Sequence, residues 1–134
     1  MDRRIFMSSA VAGLAAATSL AEPAQAMAMQ EWTNVVFSAD DPGHWGGQLA
    51  ALHVPQVEVK DGMVSVTTPH PMTQNHYIVS HTVVLEGGRF LDRKTFSWND
   101  KPVSTHALPA GYKGRITVTS TCNLHDWWVQ EITA

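Results

Sequence analysis

Cysteine is nearly missing from this sequence, with one among 134 residues. A single thiol excludes an intrachain disulfide framework and any metal knot built on four cysteines. Charge of one sign is also scarce. Nine Lys and Arg against twelve Asp and Glu leave a formal net charge of −3. No basic run supplies the electrostatic footprint of a nucleic-acid binder, so no nucleic-acid partner is expected. Beyond residue 30 no stretch repeats its apolar residues at a 3.6-residue period, and there are no repeats or low-complexity segments. Gly-rich nucleotide loops and Ser–His–Asp patterns are absent as well. Against these absences stand seven histidines.

Residues 1–26 read as an export signal. Arg3–Arg4 precede Ile5, Phe6 and Met7, an Ala-rich uncharged run extends from Ser8 to Ala21, and Ala24-Gln25-Ala26 gives a small-x-small cleavage pattern. The Arg-Arg-x-Phe arrangement resembles the twin-arginine signal by which bacteria export folded proteins. The run is short and Ala-rich beside the roughly 20 strongly apolar residues that a membrane span needs, so the mature chain is expected to hold no stable span. A periplasmic or otherwise exported domain over residues 27–134 follows. In an oxidising compartment its lone thiol must be buried, paired between molecules or bound to a metal. Export in the folded state favours the metal, because loading then precedes transport.

The mature chain reads as short strands. Val57–Lys60 and Val64–Thr67 alternate apolar and polar residues around Asp61–Gly62, a hairpin signature. Strands are also expected over 76–86, 89–98, 114–122 and 127–133, with one more near Val35–Phe37. About seven antiparallel strands in roughly a hundred residues predict an all-β, immunoglobulin-like sandwich. Residues 38–56, with Pro42, Gly43, Gly46, Gly47 and Pro55, are expected to form a long loop. His44, His53, His70, His106 and His125 fall on predicted connections, where function commonly sits.

Three short segments carry the chemistry. In Cys122-Asn123-Leu124-His125, strand parity with Ile116, Val118 and Ser120 turns the sulfur inward. The two-residue spacing then lets Cys122 and His125 reach one ion. A buried cysteine beside a surface histidine fits that pair equally well. In His70-Pro71-Met72-Thr73-Gln74-Asn75-His76, Pro69 and Pro71 stiffen the backbone around His70. Met72 is expected to pack rather than ligate. His53-Val54-Pro55 repeats the theme of a histidine stiffened by proline.

Taken together, His53, His70, His76, Cys122 and His125 resemble the superoxide reductase family, also called neelaredoxins. That family's pattern is His-Val-Pro, then His-Pro-Met-Thr-x-x-His-Tyr-Ile, then a terminal Cys-Asn-x-His. The resemblance runs from about Leu52 to Ile132. It implies one mononuclear iron per chain, with the four imidazoles in a square plane, His125 bound through Nδ1, Cys122 axial and the opposite position open. It further implies one-electron reduction of superoxide to hydrogen peroxide, restored by an external electron donor. Imidazole and thiolate donors are compatible with iron, and a thiolate tunes bond strength and potential. Family members form dimers or tetramers, so a homo-oligomer is compatible with the resemblance. The additional four-cysteine iron site of some relatives is absent.

One departure concerns the entrance. The family commonly has Glu-Lys before His-Val-Pro, whereas this chain has Ala51–Leu52. Lys113 and Arg115 are the candidates to replace the missing cation. The same departure keeps a non-enzymatic iron-binding or redox-sensing protein as the alternative reading. A cupredoxin-like copper carrier is disfavoured because no methionine follows Cys122. His81, five residues beyond His76, is expected to be a packed or hydrogen-bonded residue. His44 and His106 are expected to face solvent, and Trp127 and Trp128 to pack at the edge and in the core.

Overall fold

The computed structural model describes residues 34–134; the expected export segment 1–26 lies outside them. Eight strands form two sheets. They are β1 (Val36–Phe37), β2 (Gln56–Lys60), β3 (Met63–Thr67), β4 (Ile78–Leu85), β5 (Arg89–Thr95), β6 (Val103–Ala107), β7 (Arg115–Cys122) and β8 (Asp126–Thr133). The larger sheet has the order β1-β8-β7-β4-β5 and the smaller one β2-β3-β6. Pairing is antiparallel except between β1 and β8, which run parallel. The predicted sandwich is therefore present, with one strand more than expected.

Alternation explains the core. Val64 and Val66 of β3 face Val83 and Leu85 of β4 and Ile116 and Val118 of β7 in one buried cluster. Each such side chain contributes about 1.5–3 kcal/mol when fully buried. The hairpin between β2 and β3 turns on Asp61 (φ 51°) and Gly62 (φ 73°), the paired positive φ values of the turn that matches strand twist. A second cluster, Phe37, Ala50 and Trp128, lies beneath the one α-helix among the described residues; a third joins Ile78, Phe96 and Cys122.

Two segments differ from the sequence reading. Part of the expected loop 38–56 is a short helix, α1 (Gly47–His53), which buries Ala50 and His53 on one face. Pro55 stops it, because the residue before a proline is driven out of the helical region, and Val54 is accordingly extended (ψ 124°). Val103–Ala107 is a strand, not a connection. It exposes Val103, Thr105 and Ala107 and buries Ser104 and His106, so its polar residues point inward. His106 is thus buried, contrary to its expected place in solvent, while His44 is exposed. Among the described residues no helix is long and apolar enough to cross a membrane.

Candidate metal centre

His53, His70, His76, Cys122 and His125 converge, with one ligand atom from each lying within 4.8 Å of all the others. Different elements deliver them. His53 ends α1, so it sits on a short helix rather than in the loop expected for it. His70 follows Thr68–Pro69, where the His70 N–H donates to the Thr68 carbonyl at 2.8 Å. His76 closes a two-residue bridge with Thr73 just before β4, and does not itself open that strand. Cys122 ends β7 on its buried face, and His125 completes the three-residue turn into β8. Asp126 takes the left-handed conformation (φ 65°) at the end of that turn, a conformation that Asp tolerates better than most residues.

The four imidazoles form a closed circuit. His53–His70, His70–His76, His76–His125 and His125–His53 have ring centroids 4.5, 4.4, 4.7 and 4.8 Å apart, each pair edge to face. His70 Nε2 to His76 Nε2, His76 Nε2 to His125 Nδ1 and His125 Nδ1 to His53 Nε2 are each 3.0 Å. A square with that edge has a half-diagonal of about 2.1 Å, a metal–imidazole bond length. Cys122 Sγ lies 3.6 Å from His125 Nδ1 and 3.9 Å from His70 Nε2.

At His53 a hydrogen bond on the outside of the circuit leaves a lone pair inside it. His53 Nδ1–H donates to the Leu49 carbonyl at 2.7 Å, which makes Nε2 an acceptor facing other nitrogens. Burial lowers the pKa of His70 to about 4, with His53 and His76 adding to the effect and the Pro71 carbonyl opposing it. Burial also lowers that of His53, where the Leu49 carbonyl opposes it, and that of His76, where His125 adds to it. Burial pushes the Cys122 thiol up, opposed by the backbone N–H groups of Leu124 and His125. Convergent imidazole nitrogens beside a buried thiol suit a cation of the first transition row. Five donors exceed the four of a structural zinc site. The residues present fit an iron ion.

Several supports were not legible beforehand. Asn123, inside the Cys122–His125 segment, accepts from the Tyr77 N–H at 2.9 Å and donates to the Asn75 carbonyl at 3.0 Å, tying the His76 and His125 segments together. The indole of Trp128, fully buried, donates to the His125 carbonyl at 2.8 Å. Trp45 packs edge-on against His125 at 4.8 Å and donates to Asp126 at 3.0 Å. An indole two or three residues from a ligand motif was the available signal for Trp128; none marked Trp45. Met72 packs against Ile78, Phe96 and Cys122, as expected.

Lys113 and Arg115 do not replace the missing cation. Arg115 starts β7 and Cys122 ends it, so about 23 Å of extended chain separates them, and Lys113 sits at that same far end, lining a cavity with Asp61, Gly62 and the Arg115 partner Thr133. Leu52 and Ala51 are exposed on α1 beside His53.

A family model described as Desulfoferrodoxin matches residues 46–131. Among solved structures, the superoxide reductase (neelaredoxin) of Ignicoccus hospitalis is 25% identical, with a TM-score of 0.62 over 75% of this chain and 94% of that one. A variant of the Archaeoglobus fulgidus superoxide reductase (neelaredoxin) in the reduced form is 28% identical, with a TM-score of 0.56 over 66% and 92%. The superoxide reductase of Treponema pallidum is 31% identical, with a TM-score of 0.53 over 60% and 66%. No curated protein sequence matches the chain significantly. The family match spans most of the described residues, including all five converging side chains, and the chain belongs to the desulfoferrodoxin family.

Proposed function

We propose that the chain is an exported superoxide reductase, converting superoxide to hydrogen peroxide at one iron held by His53, His70, His76, His125 and Cys122. The observation that carries this reading is the 3.0 Å spacing of converging imidazole nitrogens around a buried thiol. Iron bound there supplies a one-electron couple and a coordination position for the anion. The reaction consumes one electron, from an external donor, and two protons for each superoxide. Names of the solved relatives support the substrate, and Arg3–Arg4 with Ala24-Gln25-Ala26 support export.

The chain's own residues set the conditions. The Leu49 carbonyl orients His53, and the Trp128 indole holds the backbone of His125. Backbone N–H groups of Leu124 and His125 stabilise the sulfur as an anion, tempering its donation. Ala51 and Leu52 offer no carboxylate and no cation, so anion capture gains nothing from steering at that edge. The test is stopped-flow mixing of the ferrous protein with pulsed superoxide. Oxidation far faster than that of free ferrous iron supports the enzyme; oxidation no faster leaves a non-enzymatic iron protein, the reading that the Ala51–Leu52 edge favours.

A further inference from the structure

A chain of polar side chains crosses the interior between the two sheets. The Ser120 hydroxyl reaches Thr68 Oγ1, Thr68 Oγ1 reaches His81 Nε2, His81 Nδ1 reaches Ser104 Oγ, Ser104 Oγ reaches His106 Nε2, and His106 Nδ1 reaches Asp92 Oδ2, all at 2.8 Å. With both imidazoles neutral, one assignment satisfies every link. Ser120 donates to Thr68, Thr68 to His81, His81 to Ser104, Ser104 to His106, and His106 to the carboxylate. Only Asp92 is exposed. Burying so many polar groups is costly unless each finds a partner, and the five links meet that condition.

The inner end of this chain bears on a metal ligand. Thr68 is held three ways: its N–H donates to the Pro102 carbonyl at 3.0 Å, and its hydroxyl is shared between His81 and Ser120. Its own carbonyl accepts from the His70 N–H, closing a tight turn over Pro69. His70 needs such support more than His53 does. Metal-binding imidazoles almost always donate their second ring nitrogen to a fixed acceptor, which sets the ring's orientation. His53 has the Leu49 carbonyl for this, whereas His70 Nδ1 is buried and only the Pro71 carbonyl lies near it, outside good hydrogen-bond geometry.

We infer that Thr68 is a positioning residue for His70, and that the buried chain through His81 to Asp92 exists to hold Thr68 in place. Backbone anchoring two residues upstream does for His70 what a ring hydrogen bond does for His53. This rests on the proposed metal centre, although not on its reaction with superoxide.

The experiment is cobalt(II) titration of the metal-free protein, read by the visible ligand-field spectrum, in wild type, Thr68→Val, Thr68→Ser and Ser120→Ala. Thr68→Val keeps the shape and removes the hydroxyl. It is expected to weaken cobalt binding about 10- to 100-fold, the range for lost outer supports of a ligand, and to shift the spectrum. Thr68→Ser restores both, and Ser120→Ala, which removes one of the two hydroxyl links, gives a smaller loss. Where Thr68→Val does not fold, the Ser120→Ala result decides. Wild-type affinity and spectrum in the folded Thr68→Val or Ser120→Ala protein overturns the inference, as does a Thr68→Val defect that Thr68→Ser fails to rescue. A wild-type protein that takes up no cobalt overturns the centre itself, and the inference with it.

Discussion

His125 Nδ1 lies 3.0 Å from His53 Nε2, although 72 residues separate them in sequence. Because His53 Nδ1–H is committed to the Leu49 carbonyl, Nε2 presents a lone pair to its neighbours. Burial holds His53, His70 and His76 below the ordinary histidine pKa of 6.5, and it holds the Cys122 thiol above 9.0. Near pH 8 these three imidazoles are therefore already neutral while the thiol still carries its proton. Binding a divalent ion should release about one proton per site, and affinity should rise about tenfold per pH unit until the thiol titrates. Calorimetry in two buffers of different ionisation enthalpy counts that proton, and a count of zero removes Cys122 from the ligand set.

Substituting Cys122→Ser should leave iron bound through imidazoles while abolishing the thiolate-to-iron charge-transfer band of the oxidised protein. The side chain is buried and packs with Ile78 and Phe96, so the smaller serine also costs stability, about 1–3 kcal/mol for a buried hydroxyl without a good partner. Visible absorption paired with metal analysis separates the two effects. A band that survives the substitution makes the axial assignment wrong.

Leu52 is 44% exposed on α1 next to His53. Leu52→Lys places a cation at that edge with little effect on the fold, since exposed substitutions usually stay within about 0.5 kcal/mol. The second-order rate with superoxide should rise about 10-fold at low salt, and the gain should fade as ionic strength increases. Stopped-flow rates across a salt series check both; an equal gain at high salt would exclude steering.

His81 makes acid stability of the metal-free protein predictable. Burial, with His106 nearby, lowers its pKa from 6.5 to about 4. The unfolded chain therefore binds a proton between those values that the folded chain refuses. Stability from this residue is complete above about pH 6.5 and drains away as pH falls to about 4, an effect of about 3 kcal/mol. Urea unfolding midpoints between pH 7.5 and 4 should fall less steeply for His81→Gln, which does not titrate. Equal slopes would show that other groups carry the acid sensitivity.

How much was legible depended on which way a strand's polar residues pointed. β3 and β7 follow the ordinary rule, with valine and isoleucine inward, and Asp61–Gly62 announces its own turn. β6 inverts that rule by burying Ser104 and His106 and exposing Val103. A pattern based on hydrophobicity cannot see a strand whose interior face is a hydrogen-bonded chain. The same inversion hides His106, whose sequence context points to solvent. α1 escaped notice because it spans seven residues and carries leucine and alanine on both its exposed and its buried sides. The converging five were readable because each belongs to a compact local motif. Their supports were not, since Trp45, Trp128 and Asn123 act through contacts that only the folded chain creates.

Residues 53 and 125 bracket most of the sandwich, and an ion held by both closes that span as a covalent bridge would. The entropy removed from the unfolded chain by closing a loop of that length is worth about 4 kcal/mol by the cross-link estimate. A small domain with one cysteine can form no disulfide of its own. For a protein proposed to work outside the cytoplasm, the metal would then supply the cross-link that the described residues otherwise lack, and losing it to a chelator would cost the scaffold as well as the chemistry.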